Sequence, residues 1–179
     1  MALSDFDLRA YIEKGRLKIE NFHPDIIREN GIDFRLNNEF AVLKDTDKTF
    51  DLRNPPKELS EFYIHQKADS FVIQRRETVL VSTIEYIKMP DDLMGQCNLR
   101  STWARLGISI APTIIDASWE GRLTIALHAT RFPVRIFKGD RFLHAIFNKL
   151  TSPVQQRYSG KYQGQKVIAL PISDPIPKQ

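Results

Sequence analysis

Apolar and polar positions alternate over short stretches through most of the chain, and Gly, Pro, Asn and Asp divide these stretches. Short segments rich in branched and aromatic residues, with turn residues at close intervals, are typical of a sandwich, barrel or jelly roll. The pattern predicts strands at residues 32–36, 39–43, 71–73, 78–87, 94–99, 109–112, 123–129, 134–137, 142–150 and 167–170. Residues 44–68, which contain several Asp and a Pro-Pro pair, are predicted to form a long surface excursion. We expect one all-β domain over residues 1–179, because a chain of this length buries a single core.

The segment before the first strand is predicted to be helical. Ser4 is placed to cap a helix, and Asp7 stands at the third helical position, as in a capping box. Gly15 is then placed to end the helix, which gives a predicted span of residues 5–14. A second, short helical turn is predicted at residues 24–29, where a proline can occupy the first turn.

The composition is ordinary for a globular protein, with 42% hydrophobic and 27% charged residues. The net charge of +4 suits a small anionic ligand such as a triphosphate. The charge is too weak and too dispersed for a nucleic-acid-binding surface, so we expect no nucleic acid partner. The longest basic cluster, Arg75-Arg76, is interpreted as a solvated strand end.

The sequence also disfavours disulfide-rich, zinc-binding, membrane and secreted proteins. Cys97 is the single cysteine, which excludes a disulfide framework and a cysteine-based zinc site, so a buried thiol is expected. No apolar run approaches the length of roughly 18–20 residues that spans a membrane. The N-terminus carries no signal-peptide pattern, so we expect a cytoplasmic location and no membrane partner.

The segment at residues 100–107 combines two cations and hydroxyl groups in a spacing that suits phosphate. Arg100 and Arg105 can grip phosphate oxygens bidentately, and Ser101 can donate a hydrogen bond to a bridging oxygen. If Ser101 or Thr102 caps a short helix, its exposed N–H groups add an anion site. The alternative interpretation is a capped surface turn with two solvated arginines.

The segment at residues 113–121 is a short hairpin with one carboxylate, Asp116, and one aromatic, Trp119, and it ends in Gly121. A phosphate-binding segment together with a carboxylate beside an aromatic is what a nucleotide-hydrolysing site needs. The alternative interpretation is a structural hairpin whose tryptophan packs in the core.

In order and spacing, these two segments resemble the family that joins trimeric dUTPases to dCTP deaminases, and three further segments support the resemblance. Residues 30–36 are similar to the family's G-x-D-x-R-L strand, with Asp33 as its aspartate. Residues 138–144 are similar to its G-x-R-[apolar]-x-Q strand entry, although His144 stands where the family has glutamine. Residues 157–165 resemble the K-Y-x-x-Q tail of the deaminase branch. The resemblance implies a dUTPase-like jelly roll or distorted β-barrel.

The resemblance also implies roles for the residues of the two segments described first. Asp116 would orient or deprotonate water, or meet the sugar 3′-hydroxyl. Trp119 would lie beneath the deoxyribose, where a rigid aromatic ring leaves no room for a 2′-hydroxyl. The implied phosphate-binding residues are Arg100, Ser101, Thr102 and Arg105, and the implied catalytic residues are Asp116, Ser101 and Arg105.

In the tail segment, the resemblance implies a lid that closes over the ligand. Lys161 would supply a point charge for the γ-phosphate, and Tyr158 and Gln165 would offer phosphate and base contacts. We expect a flexible segment over about 157–179, whose end at 173–179 is flexible or docks on a neighbouring subunit. A disordered, solvated basic tail is the alternative.

One position departs from the deaminase pattern. In the deaminases, a glutamate five residues after the hairpin glycine activates water against the cytosine base and carries protons; this chain has Ala126 there. An alanine transfers no proton, and loss of a general acid–base group costs roughly 10²–10⁴ in rate. A zinc-dependent route is not available either, since the chain has no H-x-E…P-C-x-x-C pattern.

The resemblance implies a homotrimer, because the family builds each site from neighbouring subunits. We expect this homotrimer to cleave dUTP to dUMP and pyrophosphate. Mg²⁺ would bridge the phosphates, with Asp33 as an additional candidate ligand. Two alternatives stay open: a dCTP deaminase whose catalytic glutamate is replaced or lies elsewhere in the alignment, and a nucleotide-binding protein without catalysis. The sequence does not indicate a preference for uracil or cytosine, because backbone groups of the 109–116 hairpin could read either base.

Overall fold

The computed structural model describes residues 1–129 and 131–173, and antiparallel strands dominate their fold. The helices are α1 (Asp5–Glu13) and α2 (Ser101–Arg105), with 3-10 turns at Pro24–Ile26 and Leu59–Glu61. The strands are β1 (Lys18–Glu20), β2 (Ile27–Arg28), β3 (Gly31–Leu43), β4 (Tyr63–Lys67), β5 (Ser70–Ile73), β6 (Thr78–Thr83), β7 (Tyr86–Lys88), β8 (Leu93–Leu99), β9 (Ser109–Ile110), β10 (Thr113–Ile115), β11 (Glu120–Gly121), β12 (Thr124–His128), β13 (Val134–Phe137) and β14 (Arg141–Lys149). Neither described helix has the length and apolar character needed to cross a membrane.

Strand β3 organises the fold, because its two halves pair with different partners. Its first half pairs with β14, and its second half pairs with β4 and β6, after a shift of register between Leu36 and Phe40. The main sheet runs in the order β10-β8-β14-β3-β6-β12-β9 and forms a nearly closed barrel. Two smaller sheets, β1-β7-β11 and β13-β5, complete the structure. The all-β jelly-roll or barrel fold expected from the sequence is confirmed.

The interior of the barrel is filled with aromatic and branched side chains. Phe34 and Phe40 on β3 and Phe142 and Phe147 on β14 are fully buried. Removal of such apolar surface from water contributes roughly 25 cal/mol per Å², so these rings hold the curled sheet closed. A packed interior leaves ligand sites to the ends and outer faces of the strands.

The N-terminal helix follows the sequence prediction closely. The Ser4 hydroxyl accepts a hydrogen bond from the Asp7 N–H at 3.4 Å, and the Asp7 carboxylate accepts one from the Ser4 N–H at 3.3 Å. The helix ends at Glu13, one residue before the predicted end. The helical turn predicted at residues 24–29 is shorter than expected, because the chain turns into β2 after Ile26.

Four of the predicted segments need correction. Residues 44–68 are not a surface excursion throughout, since β4 lies within them and pairs with β3. Residues 78–87 form two strands, because the buried carboxylate of Glu85 interrupts the run and accepts a hydrogen bond from Arg35 Nε at 2.6 Å. By contrast, residues 32–36 and 39–43 belong to one continuous strand.

The strand predicted at residues 167–170 is absent from the structure. The Ala169 N–H donates to the hydroxyl of Thr124 at 3.1 Å, so a side chain replaces the backbone ladder there. Of the predicted tail at residues 173–179, all but the first residue lie outside the described part of the chain.

Candidate functional site

A cavity of about 470 Å³ lies beside strand β12, between the 113–119 hairpin and the C-terminal segment. Its volume falls in the range of small-molecule sites, and its wall is mainly apolar with a few polar groups, as such sites generally are. The residues singled out from the sequence that line it are Asp116, Trp119, Ala126, Tyr158 and Gln165. The structure therefore brings the hairpin, the deaminase-glutamate position and the tail segment together.

The hairpin is held rigidly by its own turn and by the neighbouring strand. The Trp119 N–H donates to the Asp116 carbonyl at 3.2 Å, and Ser118 adopts a left-handed conformation with φ of 65°. The Ser118 N–H donates to the Pro90 carbonyl, and the Met89 N–H donates to the Trp119 carbonyl at 2.9 Å. These bonds fix the backbone positions of Asp116 and Trp119, from which their side chains extend.

The glycine that ends the hairpin is required by a close contact. At Gly121, φ is 153°, and a Cβ atom would lie 2.7 Å from the Trp119 ring and 3.0 Å from Gln165 Cγ. A side chain would therefore displace the indole or the tail segment. The close approach of Trp119 and Gln165 therefore explains why the motif has a glycine at this position.

The C-terminal segment closes one side of the cavity. Gln165 pairs in parallel with Gly121, and its carbonyl accepts a hydrogen bond from the Arg122 N–H at 2.9 Å. The Gln165 amide group donates to the Arg122 carbonyl and to the Thr124 hydroxyl, which leaves its buried Oε1 without a partner among the described residues. The flexibility expected for residues 157–179 stays a prediction.

Strand β12 contributes to the cavity wall through alternate positions. Thr124, Ala126 and His128 all line the cavity, and Ala126 lies opposite Leu80 in the ladder with β6. His128 Nδ1 lies 3.1 Å from the Thr78 hydroxyl. Ala126 thus presents a methyl group at the place where the deaminase pattern has a carboxylate.

Two carboxylates of the hairpin have different surroundings. Asp116 is exposed and lines the cavity, and its carboxylate makes no hydrogen bond or ion pair with the described residues. Glu120 lies 2.7 Å from Lys88 Nζ, and this hydrogen bond lowers the pKa of Glu120. Asp116 is consequently the one carboxylate available to a ligand among the described residues of the cavity wall.

The arginine segment lies outside this cavity. Arg100 occupies the cap position of α2 without a side-chain cap bond, so the conditional prediction of a Ser101 or Thr102 cap is wrong. Arg100 and Thr102 line a different cavity of about 330 Å³. Within the described chain, none of the predicted phosphate-binding residues of this segment, Arg105 included, lines the cavity of Asp116.

Asp33 joins three of the sequence motifs at one buried point. Its Oδ2 atom lies 3.0 Å from Arg100 Nε, and its Oδ1 atom lies 2.9 Å from His144 Nδ1. Only 2% of Asp33 is exposed. His144, which stands where the family has glutamine, therefore holds Asp33, and Asp33 holds Arg100.

The tail lysine and the cavity wall add two further observations. Lys161 does not line the cavity, and its ammonium lies 5.5 Å from the centre of the Tyr162 ring. Sequence reasoning did not assign to the wall Tyr63 on β4, Thr78 and Leu80 on β6, or Tyr162 in the C-terminal segment. β4 reads Tyr-Ile-His-Gln-Lys, without alternation of apolar and polar residues, so the sequence offered no local signal for Tyr63.

Comparison with known proteins gives the relationship of the chain. A family model described as dCTP deaminase-like matches residues 2–150. The chain belongs to the dCTP deaminase-like family. It is 48% identical over 171 residues to a dCTP deaminase of Saccharolobus solfataricus, across 96% of this chain and 91% of that protein.

Two further similar proteins are named for different activities. The chain is 43% identical over 174 residues to a probable deoxyuridine 5′-triphosphate nucleotidohydrolase of Sulfolobus islandicus rod-shaped virus 1, across 97% of this chain and all of that protein. The crystal structure of the dCTP deaminase from Agrobacterium tumefaciens superposes with a TM-score of 0.65 at 20% identity. That superposition covers 82% of this chain and 46% of the other, and it shows the shared fold.

Proposed function

We propose that this member of the dCTP deaminase-like family hydrolyses dUTP to dUMP and pyrophosphate. One observation carries the proposal: Ala126 lines the cavity where the deaminase glutamate is expected, and Asp116 supplies the described wall's one carboxylate. Deamination needs a group at the base that both takes and gives protons, whereas an alanine does neither. Hydrolysis at phosphorus needs one group that orients and deprotonates water, and Asp116 can be that group.

In the proposed reaction, a water oxygen held by Asp116 attacks the α-phosphorus while its proton passes to the carboxylate. The bond between the α-phosphorus and the oxygen that bridges to the β-phosphorus breaks, and pyrophosphate leaves with that oxygen. Trp119 supports the deoxyribose face. The free Oε1 of Gln165 can accept a hydrogen bond from an N–H or O–H group of the ligand.

The phosphate contacts come, in this proposal, from a neighbouring subunit. The segment with Arg100, Ser101 and Arg105 does not line the cavity of its own chain in the described structure. In a ring of three subunits with head-to-tail interfaces, a surface of one chain faces a different surface of the next. A homotrimer would therefore complete each site with the arginine segment of the adjacent chain.

Magnesium is proposed to enter with the triphosphate. The described residues contain no group of three or more His, Cys, Asp or Glu arranged to hold a metal ion. Arg100 and His144 both contact the carboxylate of Asp33. In this proposal, Asp33 therefore orients Arg100 and does not bind the metal directly. Mg²⁺ commonly binds through substrate phosphates and retained waters, and it would neutralise their charge.

Deamination of dCTP is the second candidate, and the names of the archaeal relatives favour it over hydrolysis. If the chain deaminates, another group must move the proton that the glutamate would move. His128 is the titratable residue on the same strand face as Ala126, and it lines the same cavity. A protein that binds the nucleotide without turnover is the third outcome.

One assay separates these functions. The full chain is incubated with Mg²⁺ and either dUTP or dCTP, and pyrophosphate and ammonia are measured separately. Pyrophosphate from dUTP without ammonia from dCTP supports the proposal. Ammonia from dCTP establishes the second candidate, and tight binding without either product identifies a non-catalytic protein. Light scattering on the eluting protein tests the homotrimer.

A further inference from the structure

Three arginines share one concavity on a surface away from the Asp116 cavity. Arg75 and Arg76 lie in the turn between β5 and β6, and Arg131 lies in the connection from β12 to β13. Together they line a concavity of about 870 Å³, and all three are exposed. The sequence presents the first two as an isolated basic pair, and the fold adds the third.

Backbone hydrogen bonds fix the two segments beside each other. The Ala129 N–H donates to the Glu77 carbonyl at 2.8 Å, just beyond the Thr78–His128 pair that ends the β6–β12 ladder. The turn that carries the arginines is closed by the Gln74 N–H, which donates to the Glu77 carboxylate at 2.8 Å. Arg75 and Arg76 therefore project from a hydrogen-bonded turn, and Arg131 follows Ala129 by two residues in the chain.

The cluster makes no ion pair with a carboxylate in the described part of the chain. The Glu77 carboxylate is engaged by the turn, and none of the three guanidinium groups makes an ion pair with a described residue. Arg76 in addition adopts a left-handed conformation, with φ of 61°, which is unfavourable for a residue other than glycine. Like charges brought together without a partner repel one another, and a bound anion removes that repulsion.

We propose that Arg75, Arg76 and Arg131 form a second phosphate-binding site that takes a small polyphosphate. Each guanidinium presents a planar fork of N–H donors that matches phosphate oxygens bidentately. Three guanidinium groups carry three positive charges, whereas one phosphate group carries a charge of only about −1.5 to −2 near neutral pH, so a diphosphate or triphosphate group matches the site better than a single phosphate. None of the three residues lines the Asp116 cavity, so the inference does not depend on the proposed catalytic function.

Calorimetric titration of the full chain with sodium pyrophosphate tests the site. The double variant Arg75→Gln/Arg131→Gln is compared with Arg9→Gln/Arg53→Gln, which removes the same charge from exposed positions elsewhere. We expect the cluster variant to bind pyrophosphate about tenfold more weakly or worse, with less than about a twofold change in the control. Equal losses in both variants would show a long-range effect of net charge and would overturn the proposal. Circular dichroism and melting temperature establish that both variants are folded.

A third variant distinguishes pyrophosphate binding at the arginine cluster from pyrophosphate binding at the catalytic cavity. Arg105→Gln removes a phosphate contact predicted for the catalytic site, and it should leave the cluster-dependent pyrophosphate binding intact. If Arg105→Gln abolishes all binding while the cluster variant binds normally, the arginine cluster is not a site. This result would leave the proposed hydrolysis untouched.

A comparison of ligands shows whether the bound phosphate groups belong to a nucleotide or to a free anion. Cluster-dependent binding of a second dUTP per chain identifies a nucleotide as the source, whereas binding of pyrophosphate alone identifies a free anion. Inorganic phosphate should bind more weakly than pyrophosphate. If a single-stranded oligonucleotide binds the cluster more tightly than either small ligand, the surface serves nucleic acid and the small-polyphosphate proposal is wrong.

Discussion

The indole nitrogen of Trp119 donates a hydrogen bond to the backbone carbonyl of Tyr162 at 3.0 Å. This bond ties the hairpin to the C-terminal segment that follows it by about 40 residues in the chain. Only 6% of Trp119 is exposed. The residue that would support the sugar is therefore also an anchor for the segment that closes the cavity.

The two roles of Trp119 can be separated by a pair of variants. Trp119→Phe keeps an aromatic ring but removes the indole N–H, so we expect discrimination between dUTP and UTP to survive while the tail segment loosens. Trp119→Ala removes both, and we expect the preference for dUTP to narrow and the free energy of unfolding to fall by ~3–5 kcal/mol. Steady-state kinetics with both nucleotides and proteolysis of the tail measure the two effects. Unchanged discrimination in a folded Trp119→Ala variant would place the sugar contact elsewhere.

Hydrolysis should depend on the carboxylate of Asp116. Asp116→Asn keeps the size of the side chain but removes the base, so we expect turnover of dUTP to fall by roughly 10²-fold or more. The melting temperature should not change, because the carboxylate makes no bond with the described residues. Glu120→Gln is the control, since Glu120 pairs with Lys88 instead of facing the cavity. Full dUTP cleavage by Asp116→Asn would remove this residue from the mechanism.

Shared sites can be tested by mixing two inactive variants. If Asp116 of one subunit works with Arg105 of the next, Asp116→Asn and Arg105→Gln each disable every site of a homotrimer. After unfolding and refolding of an equal mixture, about one quarter of the sites should combine two intact surfaces. Pyrophosphate release should then recover to about that fraction. A mixture as inactive as its components would indicate that each chain builds its site alone.

Because Cys97 is buried, we expect the stability of the folded protein to depend on pH. Desolvation raises the pKa of Cys97 to about 12, and 5% of the residue is exposed. The folded protein therefore keeps the thiol protonated where the unfolded chain, with a pKa of roughly 8.5, has lost the proton. We expect the free energy of unfolding to decrease as pH rises through this window, and Cys97→Ala should reduce the slope. Alkylation by iodoacetamide at pH 8 should require denaturant; rapid labelling of the native protein would contradict the burial.

The elements that the sequence predicted well are those set by neighbouring residues. The capping pair Ser4 and Asp7 fixes the start of α1 within one turn, and the hairpin signals around Asp116 and Trp119 identify part of the cavity. The interruption at Glu85 could not be predicted, because its partner Arg35 lies on a distant strand. A charged residue within an apolar run gives no indication of such a partner.

Which residues come together at the site also depends on pairing between strands that are distant in the sequence. Tyr63 reaches the cavity because β4 pairs with the second half of β3, and no local pattern encodes that register. The sequence motifs likewise gave Arg100 and Asp116 as one group. In the fold, Arg100 joins Asp33 and His144 at a point separate from Asp116, and the proposed homotrimer would bring the two together across a subunit interface.

The position of Ala126 on β12 allows the most direct test of the reaction. Its side chain lines the cavity between Thr124 and His128, so a longer side chain there would extend into the cavity that is proposed to hold the base. We expect Ala126→Glu to release ammonia from dCTP, while the unmodified chain releases none above background. Burial in this mainly apolar wall should raise the pKa of the introduced carboxyl, which suits a group that takes and gives protons near neutral pH.

The matched control for that variant is Ala126→Gln, which has nearly the same size but cannot transfer a proton. We expect no ammonia from this variant, because filling the space does not by itself create catalysis. Strong deamination by the unmodified chain would show that another group, with His128 first to be tested, moves the proton. Failure of Ala126→Glu together with robust dUTP cleavage would identify a dedicated dUTPase whose cavity no longer positions cytosine for attack.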